Sequence, residues 1–279
     1  MLPLNPGDVL PTGNEWVALP DLRAADGALG SFNVVSRSAR GLLEVAGTRG
    51  APLLVPFVET RGKRLRPAPW RWELVANWIP VGRAEADGLS LTLTVCAPPR
   101  SRGFLIRLEA ENRGVRAIPV RLGLDAAWGV LNRVTYERVP LRGIRRTGPG
   151  KWVEDAAVHS FVTHDTIFAW CLHAPGATVT RSAARTRLIR AQTLKPGERA
   201  ELLVLAGAGL EEFSACQQSR VLRGRVHRAG GADGLVAEAA AWCRARARTT
   251  GDPELDRFMN RNLLFKSHYA IDSCQTIIA

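Results

Sequence analysis

Apolar and polar residues alternate with period two over much of the first two hundred positions. The clearest run is Leu89-Ser90-Leu91-Thr92-Leu93-Thr94-Val95, which sets the leucines and Val95 on one face and the hydroxyls on the other. Asp87-Gly88 just ahead of it is a hairpin turn signal. The run Trp70-Arg71-Trp72-Glu73-Leu74-Val75-Ala76-Asn77-Trp78 alternates too and is expected to pair antiparallel with it. Residues 104–110 and 118–124 read as strands joined through Glu111-Asn112-Arg113-Gly114. Further strands are expected at 160–163, 167–173, 185–191 and 201–206. Ala174-Pro175-Gly176 and Lys195-Pro196-Gly197-Glu198 supply turns between them. Strands linked by short turns, with no helical period between them, predict a mainly β fold. It is a large antiparallel β-sandwich followed by two or three C-terminal helices.

The period changes late in the chain. Residues 210–222 are expected to form a helix across the end of the sandwich. Asp233 is expected to cap another, running to about residue 248, with Val236, Ala239, Ala240, Cys243 and Ala247 on one side. A last helix opens at Asp252-Pro253-Glu254-Leu255-Asp256. Asp252 can cap, Pro253 suits the first helical position, and the acids favour the positive end of the dipole. Leu255, Phe258, Met259 and Leu263 then form an apolar stripe that Leu264 and Phe265 widen. Such a face needs cover. The chain therefore divides into a β domain at 1–208, linking helices at 209–250 and, at 251–279, the first helix of a helical domain the chain lacks.

At 279 residues the chain can hold one large β domain or two ordinary ones. Its 46% hydrophobic and 23% charged content is that of a soluble globular protein. The start, Met1-Leu2-Pro3-Leu4-Asn5-Pro6-Gly7-Asp8, is not a secretory signal, and runs such as Leu202-Leu203-Val204-Leu205-Ala206 are too short to span a bilayer. The expected compartment is the cytoplasm. Cys96, Cys171, Cys216, Cys243 and Cys274 form no CxxC pair, so reduced thiols are expected rather than a zinc knuckle or a disulfide framework. The net charge of +12 invites a nucleic-acid reading. Yet nearly all of it is arginine, with only Lys63, Lys151, Lys195 and Lys266 as lysines. An Arg-, Ala- and Gly-rich chain reflects a GC-rich genome as readily as a binding face.

Candidate chemistry is sparse. Glu59, Glu73, Asp125, Glu137, Glu154, Asp155 and Asp165 lie in the β region, and two carboxyls about 5–10 Å apart can cleave a glycosidic bond. No motif fixes a pair among them. His159, His164 and His173 could be drawn into a metal site, but the odd offset of the first two sets them on opposite faces of one strand. No nucleophile elbow, zinc-binding helix or phosphate loop occurs, and no cofactor is expected. Arg142-Gly143-Ile144-Arg145-Arg146-Thr147-Gly148-Pro149-Gly150-Lys151 reads as a mobile basic loop. Trp70, Trp72 and Trp78 share one face of one expected strand. They are a candidate carbohydrate platform, with core packing as the plainer account.

Three segments carry a resemblance to a known family. They are Arg107-Leu108-Glu109-Ala110-Glu111-Asn112-Arg113 with Pro119-Val120-Arg121-Leu122-Gly123-Leu124; Leu194-Lys195-Pro196-Gly197-Glu198 leading into Glu201-Leu202-Leu203-Val204; and Asp252-Pro253-Glu254-Leu255-Asp256-Arg257-Phe258-Met259-Asn260-Arg261-Asn262-Leu263-Leu264. Together they resemble the N-terminal β-supersandwich region of (α/α)6-barrel glycoside hydrolases and phosphorylases. The resemblance implies that catalytic carboxylates sit in the barrel, so no catalytic position is carried over. It makes Leu255, Phe258, Met259 and Leu263 an interdomain face and a C-terminal helical catalytic domain the expected partner. The ending Ser273-Cys274-Gln275-Thr276-Ile277-Ile278-Ala279 does not continue a barrel helix. A gene fragment, a frameshift or a deliberate truncation each accounts for it. The rival readings are a self-contained carbohydrate-binding sandwich and a basic nucleic-acid module using Arg142, Arg145, Arg146, Arg220, Arg223, Arg225 and Arg228.

Overall fold

The computed structural model describes residues 7–36, 41–48, 50–67, 69–134, 137–164, 167–182 and 185–270, with side chains to residue 264. Asp165, the Phe265 side chain, Cys274 and the 273–279 ending lie outside the described residues. Eighteen strands come first. They are β1 (Thr12–Gly13), β2 (Val17–Leu19), β3 (Ser31–Ser36), β4 (Gly41–Gly47), β5 (Leu54–Thr60), β6 (Lys63–Arg64), β7 (Arg71–Val75), β8 (Ile79–Ala86) and β9 (Leu89–Cys96). Then follow β10 (Gly103–Asn112), β11 (Ile118–Val134), β12 (Arg138–Pro140), β13 (Ile144–Pro149), β14 (Ala156–Val162), β15 (Ile167–His173), β16 (Thr178–Arg181), β17 (Arg185–Leu194) and β18 (Arg199–Gly209). Helices α1 (Glu212–Arg228), α2 (Ala232–Arg244) and α3 (Pro253–Ala270) close the described chain.

The strands form two antiparallel sheets, as the alternation predicts. One sheet of eight runs β13-β14-β15-β18-β10-β9-β8-β7. The other has ten strands and is built around β11. The first half of β11 pairs with β5 and β17, and its second half with β4 and β12. Register shifts between Trp128 and Val130, at Gly129. A Cβ on Gly129 would sit 2.3 Å from the Thr48 Cα, so only glycine lets the strand pass there. Inward residues of both sheets bury one continuous core.

Local chemistry explains the turns. Asp87 and Gly88 both have positive φ, 48° and 78°, the twist that a two-residue hairpin requires. Buried Asn112 donates to the carbonyls of Arg116 and Leu194 at 2.8 and 2.9 Å, and its Oδ1 accepts the Gly114 N–H at 2.9 Å. That one amide ties the turn after β10 to the end of β17. Asp252 accepts the N–H groups of Glu254 and Leu255 at 2.8 and 3.2 Å, which is the expected cap of α3.

Several expectations need correction. The run from Trp70 to Trp78 is not one strand. Ala76 and Asn77 have φ of 53° and 61°, which ends β7 at Val75 and starts β8 at Ile79. β8 therefore stands between β7 and β9, and the two expected partners do not pair. The basic segment 142–151 is not a loop, because its residues 144–149 pair with β14 over the full length of β13. Gly231, not Asp233, is the N-cap of α2, and α2 ends at Arg244. The strands at 12–19, 41–47 and 54–60 carry weak alternation and were not expected individually.

His159 links the layers. It is fully buried on β14 and stacks on Trp170 with ring centroids 4.3 Å apart. Its Nδ1 lies 3.0 Å from Thr147 Oγ1 on β13, and its Nε2 lies 3.4 Å from Thr186 Oγ1 on β17 of the opposite sheet. Burial pushes its pKa down to about 3. The unfolded chain takes up the same proton near pH 6.5. Between those values the unfolded state binds more protons, so stability falls as pH falls through that window. His159 alone should contribute a loss of about 2 kcal/mol by pH 5. Urea titrations at pH 7 and pH 5 should give a smaller difference in His159→Gln than in the native protein. An unchanged difference would remove His159 from the acid response.

Candidate functional site

The outer face of the eight-stranded sheet carries the helices. Phe104 and Ile106 on β10 point into the sandwich, whereas Leu105 between them points outward. Leu105, Leu205 and Cys96 meet Leu222 of α1, Leu235, Ala239, Ala240 and Cys243 of α2, and Leu264 of α3 in a second core. A third, small cluster packs Ala215 and Cys216 of α1 on Val158, Ala169 and Cys171. A charged clamp adds to this. Arg107 on β10 holds Glu201 of β18 at 2.6 Å, Glu109 at 2.8 Å and Asp233 of α2. Burial raises the pKa of Glu109, against the opposing pull of Arg107. Sequence reasoning missed this group because its members come from three elements.

α3 is only partly seated. Asn260 and Leu264, one turn apart, are 4% and 2% exposed. Asn260 accepts the Arg248 N–H at 2.7 Å and donates to its carbonyl at 2.8 Å. Arg261 donates to the carbonyls of Asn77 and Pro11. The other side points away from the sandwich. Leu255, Phe258 and Leu263 are 44%, 69% and 39% exposed, and Met259 is half-buried. Leu264, expected to widen that stripe, instead lies on the buried side, because its four-residue step from Asn260 keeps both toward the sheet.

The tryptophans are separated. Trp72 is buried in the inter-sheet core and donates to the Ala24 carbonyl at 2.8 Å. Trp78 is buried in the second core beneath the helices and donates to the Gly13 carbonyl at 2.7 Å. The turn at Ala76 and Asn77 puts them on opposite sides of the sheet. Trp70 alone of the three keeps part of its ring open. The expected three-tryptophan platform therefore does not form.

Three of the seven carboxylates singled out in the sequence are held by arginines. Glu59 pairs with Arg121 at 3.3 Å, Glu73 with Arg83 at 3.0 Å, and Asp125 with Arg187 and Arg64 at 2.6 and 2.8 Å. His173 is buried on β15, with its pKa pushed down to about 4 by burial first and by Arg223 second. Among the described residues no three His, Cys, Asp or Glu side chains gather into a metal-binding group. No helix there is long and apolar enough to cross a membrane.

No family model matches the chain, and no curated protein matches it in sequence. Solved structures do match in shape. The chain is similar to "Putative kojibiose phosphorylase from human microbiome" with a TM-score of 0.60 and 8% identity, over 92% of this chain and 39% of that one. It is also similar to a bacterial glucoamylase complexed with acarbose, with a TM-score of 0.53 and 8% identity, over 95% of this chain and 42% of that one. The chain thus spans about two fifths of the length of each. The resemblance read from the sequence holds at the level of fold.

The two sides of α3 should respond differently to substitution. Leu264→Ala should cost about 2 kcal/mol or more, because it opens a cavity in the second core. Leu255→Ser with Phe258→Ser should leave the thermal midpoint within about 2 °C, as exposed positions do. Calorimetry on both variants checks this. A large loss from the serine pair would place that face inside this chain's own core.

Proposed function

We infer that this chain is the non-catalytic sandwich and linker region of a carbohydrate-active enzyme, a glycoside hydrolase or phosphorylase. In this reading α3 is the first helix of a helical catalytic domain, and the sandwich buttresses that domain and shapes one rim of its active site. One observation carries the reading. The likeness to the phosphorylase and the glucoamylase covers 92% and 95% of the chain, which takes in helices as well as strands. Two further features support it. The side of α3 turned away from the sandwich exposes Leu255, Phe258 and Leu263, which suits a domain contact. The β-region carboxylates Glu59, Glu73 and Asp125 are each taken up in ion pairs with arginines. Leu255, Phe258, Met259 and Leu263 would form the seat, and a helical domain would be the partner.

The purified chain should therefore neither hydrolyse aryl glycosides nor release sugar phosphate from disaccharides in the presence of inorganic phosphate. Turnover that survives repurification and disappears in Glu59→Gln or Asp125→Asn would overturn the reading, because the chemistry would then reside in the sandwich.

A further inference from the structure

A hollow of about 300 Å³ opens between the two sheets, where β5 faces the β7-β8-β9 end of the eight-stranded sheet. Its walls come from the inward faces of both. On β5, Pro56 and Val58 pair with Leu124 and Leu122, whose side chains point into the sandwich. On the other sheet, Leu108 of β10 pairs with Leu93 of β9, and Leu91 lies two residues from Leu93 on the same side. The Trp70 ring belongs to that side too. Gly82 pairs with Leu93 and Trp72, and a Cβ on it would come within 3.0 Å of the Trp70 ring. Leu65 closes the near end, with its N–H donating to the Val58 carbonyl at 2.8 Å. Leu91, Leu108 and Val58 are buried, whereas Leu65, Pro67 and Trp70 are partly exposed. The hollow therefore has an apolar floor and an open mouth.

Three charged residues line it, and two of them are already engaged. Asp26 is paired with Arg23, and its Oδ1 also accepts the Ala28 N–H at 3.0 Å. Arg64 donates to Asp125 at 2.8 Å and lies over the Phe57 ring at 4.1 Å. Arg66 is exposed and makes no ion pair among the described residues. The volume is about twice the roughly 150 Å³ that holds one benzene ring.

We propose that this hollow binds a small aromatic carboxylate of about two rings, with the rings between the sheets and the carboxylate on Arg66. Rings of that size fill the space and pack against the Trp70 indole and the leucines. A guanidinium takes a carboxylate through charge-assisted hydrogen bonds, often two in parallel. One unengaged cation matches one negative charge, which disfavours a doubly charged phosphate monoester. The volume disfavours a long acyl chain. The hollow lies inside the sandwich, on the side of the sheet opposite the helices, and needs no helical domain.

Calorimetric titration of the full chain tests this, with 2-naphthoate and its uncharged analogue 2-naphthamide as probes. The naphthoate should bind with a dissociation constant below about 1 mM, and the amide several-fold more weakly. Arg66→Gln, at an exposed position, should weaken the naphthoate about tenfold and leave the amide within about twofold. Leu65→Asp, which sets a carboxylate in the mouth, should weaken both. If Leu65→Asp does not fold, Arg66→Gln still decides. Leu255→Ser with Phe258→Ser should change neither, because that apolar face lies elsewhere. No binding of the naphthoate at about ten times that concentration overturns the proposal. So does naphthoate binding that is indifferent to Arg66, or that the α3 serine pair removes. Each result is independent of the turnover assay, so the hollow and the non-catalytic role can fail separately.

Discussion

The fold depends on one aromatic chain that bridges the two sheets. Phe32 of β3 and Trp128 of β11 come from the ten-stranded sheet, and Phe104, His159 and Trp170 come from the eight-stranded one. Trp170 touches three of them, with ring centroids 5.5 Å from Phe32, 6.0 Å from Trp128 and 4.3 Å from His159. Phe32 and Phe104 close the chain at 5.4 Å. The contacts are edge-on or tilted except for the His159 stack, as ring quadrupoles favour. Side chains this large set the spacing between layers, and the leucines of β9, β10 and β11 fill the remainder. A polar ring in the middle is tolerated because both its nitrogens face hydroxyls and because it stays uncharged.

The second constraint is that the eight-stranded sheet is buried on both faces over part of its length. Leu105 and Leu205 point away from the sandwich and would be wet without the helices. α1 and α2 cover them, and Arg107 clamps α2 by a charge-assisted contact to Asp233. α3 repeats the arrangement with less cover. Its inner side is fixed by Asn260, Arg261 and Leu264, and its outer side offers leucine and phenylalanine to solvent. The sandwich and the clamp thus fix one flank of α3 and leave leucine and phenylalanine on the other, the flank that the proposed function takes as a domain contact.

Much of this was legible in the sequence, for a local reason. Period-two alternation fixes which side of a sheet each residue faces, whatever the sheet packs against. The strands from 89 to 112 and from 167 to 209, the turns at Asp87-Gly88 and around Asn112, and the Asp252 cap each depend on residues a few positions apart. The sequence also determined that the chain is mainly β with helices last, because the hydrophobic period itself changes. What it could not determine was anything resting on a partner distant in the chain. Alternation ran straight through Ala76 and Asn77, so the sequence set Trp72 and Trp78 on one face. Two left-handed residues reversed the chain there and sent the two indoles into different cores. The short N-terminal strands, β13 and the Arg107 clamp exist because neighbours far along the chain supply their hydrogen bonds. Tertiary packing likewise chose which flank of α3 meets the sheet and left Trp70 at an open edge, since both outcomes depend on which surfaces the other elements had already covered.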